Sequence, residues 1–123
     1  MGYRSDVTIR CEEKAFQMFK TAWEKVDFKP HRIYESGEDG NYTYTLNWNW
    51  VKWYEGCFEE VDAIEAVCTS LNDNDEEGYA YKIIEIGEDN AIKEYANDSG
   101  YGVFEDFYVV IDVNLPLYIR EIE

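Results

Sequence analysis

Residues Tyr42–Val67, YTYTLNWNWVKWYEGCFEEVDAIEAV, contain the change of period that decides the fold. Tyr42, Tyr44, Leu46, Trp48 and Trp50 fall at every second position with Thr43, Thr45, Asn47 and Asn49 between them, and a period of two sends each set to its own face of a sheet. That is a half-buried strand, with Trp48 and Trp50 expected in the core. From Trp50 to Tyr54 the run is apolar and aromatic except at Lys52, after which Gly56 allows a turn into Phe58, Val61, Ile64, Val67 (or Cys68) and Leu71 at helical spacing. Strand and helix are expected to share a core.

Working outward, Ser5–Cys11 alternates Val7, Ile9 and Cys11 against Asp6, Thr8 and Arg10, the pattern of a strand with one face inside. At Glu12 the period changes. Ala15, Phe16, Phe19, Ala22, Trp23 and Val26 form the apolar stripe of a helix over Glu13–Val26, which Lys29-Pro30 prevents from continuing. His31–Glu35 is a short strand, and turn chemistry at Gly37–Gly40 folds it into a hairpin with the central strand. Beyond the helix at Phe58–Asn72, a polar loop leads to a strand at Tyr79–Ile86, then a turn at Gly87–Asn90 and Ala91–Ala96, read as a hairpin strand with a short helix as the alternative. Asn97–Gly102 reads as loop, Glu105–Val113 as a β-branched strand, and the chain closes extended from Leu115. The fold class is α+β in a single domain over residues 1–123. Its β-α-β-β-α-β order suits a ferredoxin-like antiparallel sheet with both helices on one face, followed by C-terminal strands.

The charge is the anomaly in an otherwise ordinary composition of 123 residues, 46% apolar and 17% aromatic. Lys and Arg number 11 against 27 Asp and Glu, a net of −16, and residues 1–35 hold seven basic and six acidic groups, so residues 36–123 carry −17. Such a field disfavours nucleic acid and anionic membrane as direct partners and favours basic ones. Cys11, Cys57 and Cys68 have no metal-ligand spacing and are odd in number; with no apolar signal segment in view, three free thiols in a reducing cytosol are expected. No run approaches the ~20 apolar residues that span a bilayer.

Catalytic motifs are missing from the pattern. His31 is the lone histidine and sits at the start of a strand, and Gly37 and Gly40 flank two acids that would repel a phosphate. Read as a calcium loop from Asp73, the chain puts Gly78 at the sixth position but Ile84 where the bidentate acid belongs, so no metal or cofactor is expected. Trp53 and Tyr54, at the strand's end before a glycine turn, are candidates for stacking on a small ligand; core packing is the alternative. The acids form the main candidate site. Between Leu71 and Asp106, eleven acids face only Lys82 and Lys93, and most fall in turns: Asp73, Asp75, Glu76, Glu77, Glu88, Asp89, Glu105 and Asp106 are the expected partner-binding set. Carboxylates on the loops of a rigid sheet can imitate a phosphate backbone; the alternative is a solvated surface that only confers solubility.

The opening Met-Gly-Tyr-Arg-Ser-Asp-Val7, the central Trp48-Asn-Trp-Val-Lys-Trp-Tyr-Glu-Gly56 with Val61-Asp-Ala-Ile64, the Tyr79-Ala-Tyr-Lys and Ile86-Gly-Glu88 segments and the closing Tyr118-Ile-Arg-Glu121 resemble small acidic proteins encoded by bacteriophages and prophages. The resemblance covers most of the chain and is weakest over Glu12–Val26. That family brings no catalytic residues to carry over. It implies a phage product in the bacterial host cytoplasm, and by analogy of charge and size an inhibitor of a host defence system, an anti-CRISPR or DNA mimic among the forms this takes; separately, a monomer or homodimer is expected. Its expected partner is the basic nucleic-acid-binding surface of a host protein, and its expected alternative is a small-molecule or nucleotide-signal binding protein, or a small enzyme, using Trp53 and Tyr54.

Overall fold

The computed structural model describes residues 3–38, 41–54, 56–74, 76–110 and 118–119. Their elements run β1 (Ser5–Glu12), α1 (Glu13–Val26), β2 (Arg32–Glu38), β3 (Asn41–Val51), α2 (Glu59–Asn72), β4 (Tyr81–Gly87), β5 (Ile92–Ala96), α3 (Asp98–Val103), β6 (Val109–Val110) and β7 (Tyr118–Ile119). The expected α+β class is what forms. β2, β3, β1, β4 and β5 lie side by side in that order, every pair antiparallel, and β6 pairs with β7 separately.

Register sets the two faces. Val7 lies between Trp48 and Glu85, Ile9 between Leu46 and Ile83, and Cys11 between Tyr44 and Tyr81, so these residues share one side. Both long helices cover that side: α1 buries Ala15, Phe16, Phe19 and Trp23, and α2 buries Val61, Ile64, Val67, Cys68 and Leu71, in one continuous core with the strand residues. The period change at Glu12 produced this. α1 stops where Asp27 turns left-handed at φ 52°, and the Phe28 N–H caps the Trp23 carbonyl.

At its start α1 has no side-chain cap on Glu12. The Lys14 and Ala15 N–H groups instead donate to the Gly78 carbonyl, both at 3.1 Å, so the loop ahead of β4 satisfies the helix's orphan donors. Gly78 stands at φ +94°, and a Cβ there would meet the Lys14 side chain at 3.0 Å.

The other face is less polar than the alternation implies. Residues after β5 fold back over it, and Ala80, Ile84, Phe104 and Phe107 make a second small core. Arg10 is buried with its guanidinium 4.7 Å from the Phe107 ring centre, and Lys82 is buried with its ammonium on the Phe104 carbonyl at 3.4 Å and Glu94 at 2.9 Å.

Sequence expectations need correction in two places. Asn97–Gly102 is not loop: the Asn97 side chain accepts the Gly100 N–H as an N-cap, and α3 follows. Gly100 makes this fit, because a Cβ there would lie 1.9 Å from the Tyr81 carbonyl oxygen. Glu105 and Asp106 are accordingly in a turn rather than a strand, and within the described residues strand begins only at Val109. Residues 111–113 of that expected strand lie outside the described set. The second correction is Trp50. The register slips between Ser5↔Val51 and Val7↔Trp48, one extra residue is accommodated in β3, and Trp50 takes φ 57° with its side chain 55% exposed, while Trp48 is fully buried.

Candidate functional site

The antiparallel register sorts the loops to two ends of the sheet. Glu12 opposite Thr43, Cys11 opposite Tyr81, and Lys82 opposite Ala96 mark one end; Ser5 opposite Val51 and Gly87 marks the other. At roughly 3.3 Å per residue, the seven residues of β4 separate the ends by about 20 Å. The eight acids therefore do not form one patch. Asp73, Glu76 and Glu77 sit at the Glu12 end, Glu105 and Asp106 lie in the turn between Phe104 and Phe107, which pack on the sheet's other face, and Glu88 with Asp89 sits at the far end. Asp75 lies outside the described residues.

The Glu12 end is built tightly. Glu12 donates its N–H to the Ala80 carbonyl at 2.9 Å and accepts the Ala80 N–H on its carboxylate at 3.1 Å, fixing the approach to β4 against the end of β1. Asn97 ties the rest together. Its amide donates to the carbonyls of Leu71 (3.1 Å) and Tyr79 (2.9 Å) while its oxygen accepts from Tyr81 (3.2 Å) and Gly100 (2.9 Å), which uses both donors and both lone pairs of a residue that is 2% exposed. On this frame Glu12, Glu13 and Glu77 line a cleft of about 290 Å³ together with Tyr42 and Lys14. The Lys14 ammonium lies 5.5 Å from the Tyr79 ring centre. Asp73, Glu76, Glu77, Glu105 and Asp106 are all exposed, and none forms an ion pair among the described residues. Chemically the cleft suits a lysine or arginine side chain, whose charge three glutamates would meet.

The far end spends its acids internally. Arg4 donates its N–H to the Glu88 carboxylate at 2.8 Å and accepts the Glu88 N–H at 2.9 Å; the Tyr3 hydroxyl donates to Asp89, which also accepts the Ala91 N–H at 3.1 Å. The hydrogen bond from Tyr3 holds the Asp89 carboxyl below its usual range, and the same bond pushes the Tyr3 phenol up. Trp53 and Tyr54 offer no open stacking platform. Trp53 is 6% exposed, tilted against Trp48 at 5.4 Å and Phe28 at 5.9 Å, with its indole N–H on Glu65 at 2.9 Å. Tyr54 is half-buried, stacked on Phe58 at 5.7 Å and bonded through its hydroxyl to the Tyr3 N–H.

Glu12, Glu13 and Asn97 were not singled out from the sequence. The adjacent acids at the strand-to-helix junction were a usable sign, because a junction places side chains at an element's end; nothing local marked Asn97 as a four-bonded hub. Among the described residues no group of His, Cys, Asp or Glu is arranged to hold a metal ion, and no helix is long and apolar enough to cross a membrane. No protein-family model, curated protein or solved structure matches this chain.

Proposed function

We propose that this protein is a non-catalytic inhibitor that docks its Glu12 end against the basic nucleic-acid-binding surface of a host protein, and that it is phage-encoded and directed at a host defence component. The phage context rests on the sequence resemblance alone. The docking reading is carried by one observation: Asp73, Glu76 and Glu77 are exposed without ion-pair partners among the described residues at the end of the sheet where Glu12, Glu13 and Glu77 line a cleft. In a chain of net charge −16 those carboxylates extend a negative field that a cationic groove would meet first.

The test begins with capture of the partner from host lysate, followed by association kinetics over a range of salt. The variant Glu13→Gln/Asp73→Asn/Glu76→Gln/Glu77→Gln is expected to associate about tenfold or more slowly with a shallower salt slope, while Glu88→Gln/Asp89→Asn leaves both unchanged. Nucleic acid should compete for the partner. Equal rates for both variants, or a partner that holds nucleic acid and this protein together, would sink the reading.

A further inference from the structure

The outer seam between α1 and α2 is not filled. Helix pairs on a protein surface commonly cover such a seam with long side chains, but here Thr21 and Ala22 of α1 face Ala63, Ala66 and Ser70 of α2, and the short side chains leave a groove of about 690 Å³ floored by Met18 and Val67. That volume falls in the range of small-ligand sites, about 300–1,000 Å³. Lys14 and Lys25 are the charged residues that line it, with no acid among the lining side chains, although the chain as a whole carries −16. The two lysines are eleven residues apart on one helix, about 16 Å along its axis. Both are exposed and neither makes an ion pair among the described residues, but their surroundings differ: Lys14 lies over the Tyr79 ring and also lines the cleft of Glu12, Glu13 and Glu77, whereas Lys25 is not part of that cleft.

We infer that this groove binds an amphipathic monocarboxylate of the long-chain fatty acid class, its head at Lys25 and its tail along Met18, Ala22 and Val67 toward Tyr79. Charge complementarity selects that occupant. An apolar trough with a cation at its mouth asks for an apolar chain with one anionic end, and a single negative charge meets little of the repulsion that the protein's field imposes on a polyacidic helix or a second copy of this chain. Lys14 lines both this groove and the acidic cleft, so the two adjoin there, but the head group is placed at Lys25, about 16 Å away, and the inference does not depend on the docking reading.

The probe is dodecanoate, titrated below its micellar range by calorimetry against the full chain, with octanoate, decanoate and dodecyltrimethylammonium alongside. Binding should tighten with each added methylene by up to about fourfold, the cationic amphiphile should bind at least tenfold more weakly than dodecanoate, and Lys25→Gln should weaken dodecanoate about three- to fivefold. Ala66→Trp, which fills the groove from an exposed position and is verified as folded by its thermal transition, should abolish binding. Absence of dodecanoate binding, equal binding of the cationic amphiphile, or binding that survives a folded Ala66→Trp variant would each overturn the proposal.

Discussion

Trp48 and Trp50 are two positions apart in the same strand and meet opposite fates, which makes them the sharpest residue-scale test of the fold. Trp48 is fully buried, stacked on Phe28 at 5.7 Å, with its indole N–H on the Phe28 carbonyl at 3.0 Å. Trp48→Ala should destabilise by about 3–5 kcal/mol, the usual range for truncating a buried aromatic. Trp50 is exposed at φ 57°, a left-handed conformation that a bulky residue adopts reluctantly and asparagine more easily. Trp50→Asn should therefore change stability by less than about 1 kcal/mol. Urea unfolding of both variants reads the contrast, and a large loss at Trp50 would return that ring to the core. Periodicity put both rings on one face. It could not register a bulge, because the extra residue follows from how β3 pairs with β1 and leaves no mark in the composition of β3.

Between elements, burial controls the chemistry of the thiols and phenols that join α2 to the sheet. Cys11 on β1 and Cys68 on α2 are almost wholly inaccessible, and Cys57 is exposed. Under native conditions a thiol reagent should modify Cys57 quickly and the other two only as fast as the protein opens, with all three reacting in denaturing urea. Rapid native labelling of Cys68 would mean that α2 does not pack as described. Desolvation pushes Cys11, Cys68, Tyr81 and Tyr95 up, with Glu65, which accepts the Tyr95 hydroxyl, adding to the effect on Cys68, Tyr81 and Tyr95. The native state then holds protons that the unfolded chain releases above the ordinary thiol and phenol values of about 8.5 and 10. This contribution is complete below pH ~8.5 and is lost as pH rises, so the urea midpoint should fall steadily from pH 8 toward pH 11. A flat profile would show that these groups ionise as freely in the fold as out of it. α1 and α2 were legible because a 3.6-residue stripe survives any tertiary context. α3 was not, since its six residues carry two glycines and form through one asparagine cap and close contact with β4.

For the whole molecule the dominant quantity is the net charge of −16. At the Glu12 end Lys14 offsets one charge of the cleft's three glutamates, while Arg10 and Lys82 are buried on the sheet's other face. Self-repulsion should thus destabilise the compact state at low ionic strength, and raising salt from about 10 mM to about 1 M, which shortens the Debye length from ~30 to ~3 Å, should raise the urea midpoint. A midpoint that falls or stays level would place the stabilising ion pairs above the repulsion. The α+β class, both long helices, the hairpin of β2 and β3 and the sign of the field could all be read from the residues in order, because hydrophobic period and charge are properties of the chain read one residue at a time. Which acids stand together depended on how the strands pair in space. Antiparallel pairing carried Glu12 and Glu13 to the loop of Asp73, Glu76 and Glu77 from sixty residues away, and sent Glu88 and Asp89, some eleven positions beyond that loop, to the opposite end of β4. The physical reason is that a strand converts a short sequence separation into about 20 Å of space, while a hydrogen-bonded register brings distant segments to within one bond of each other.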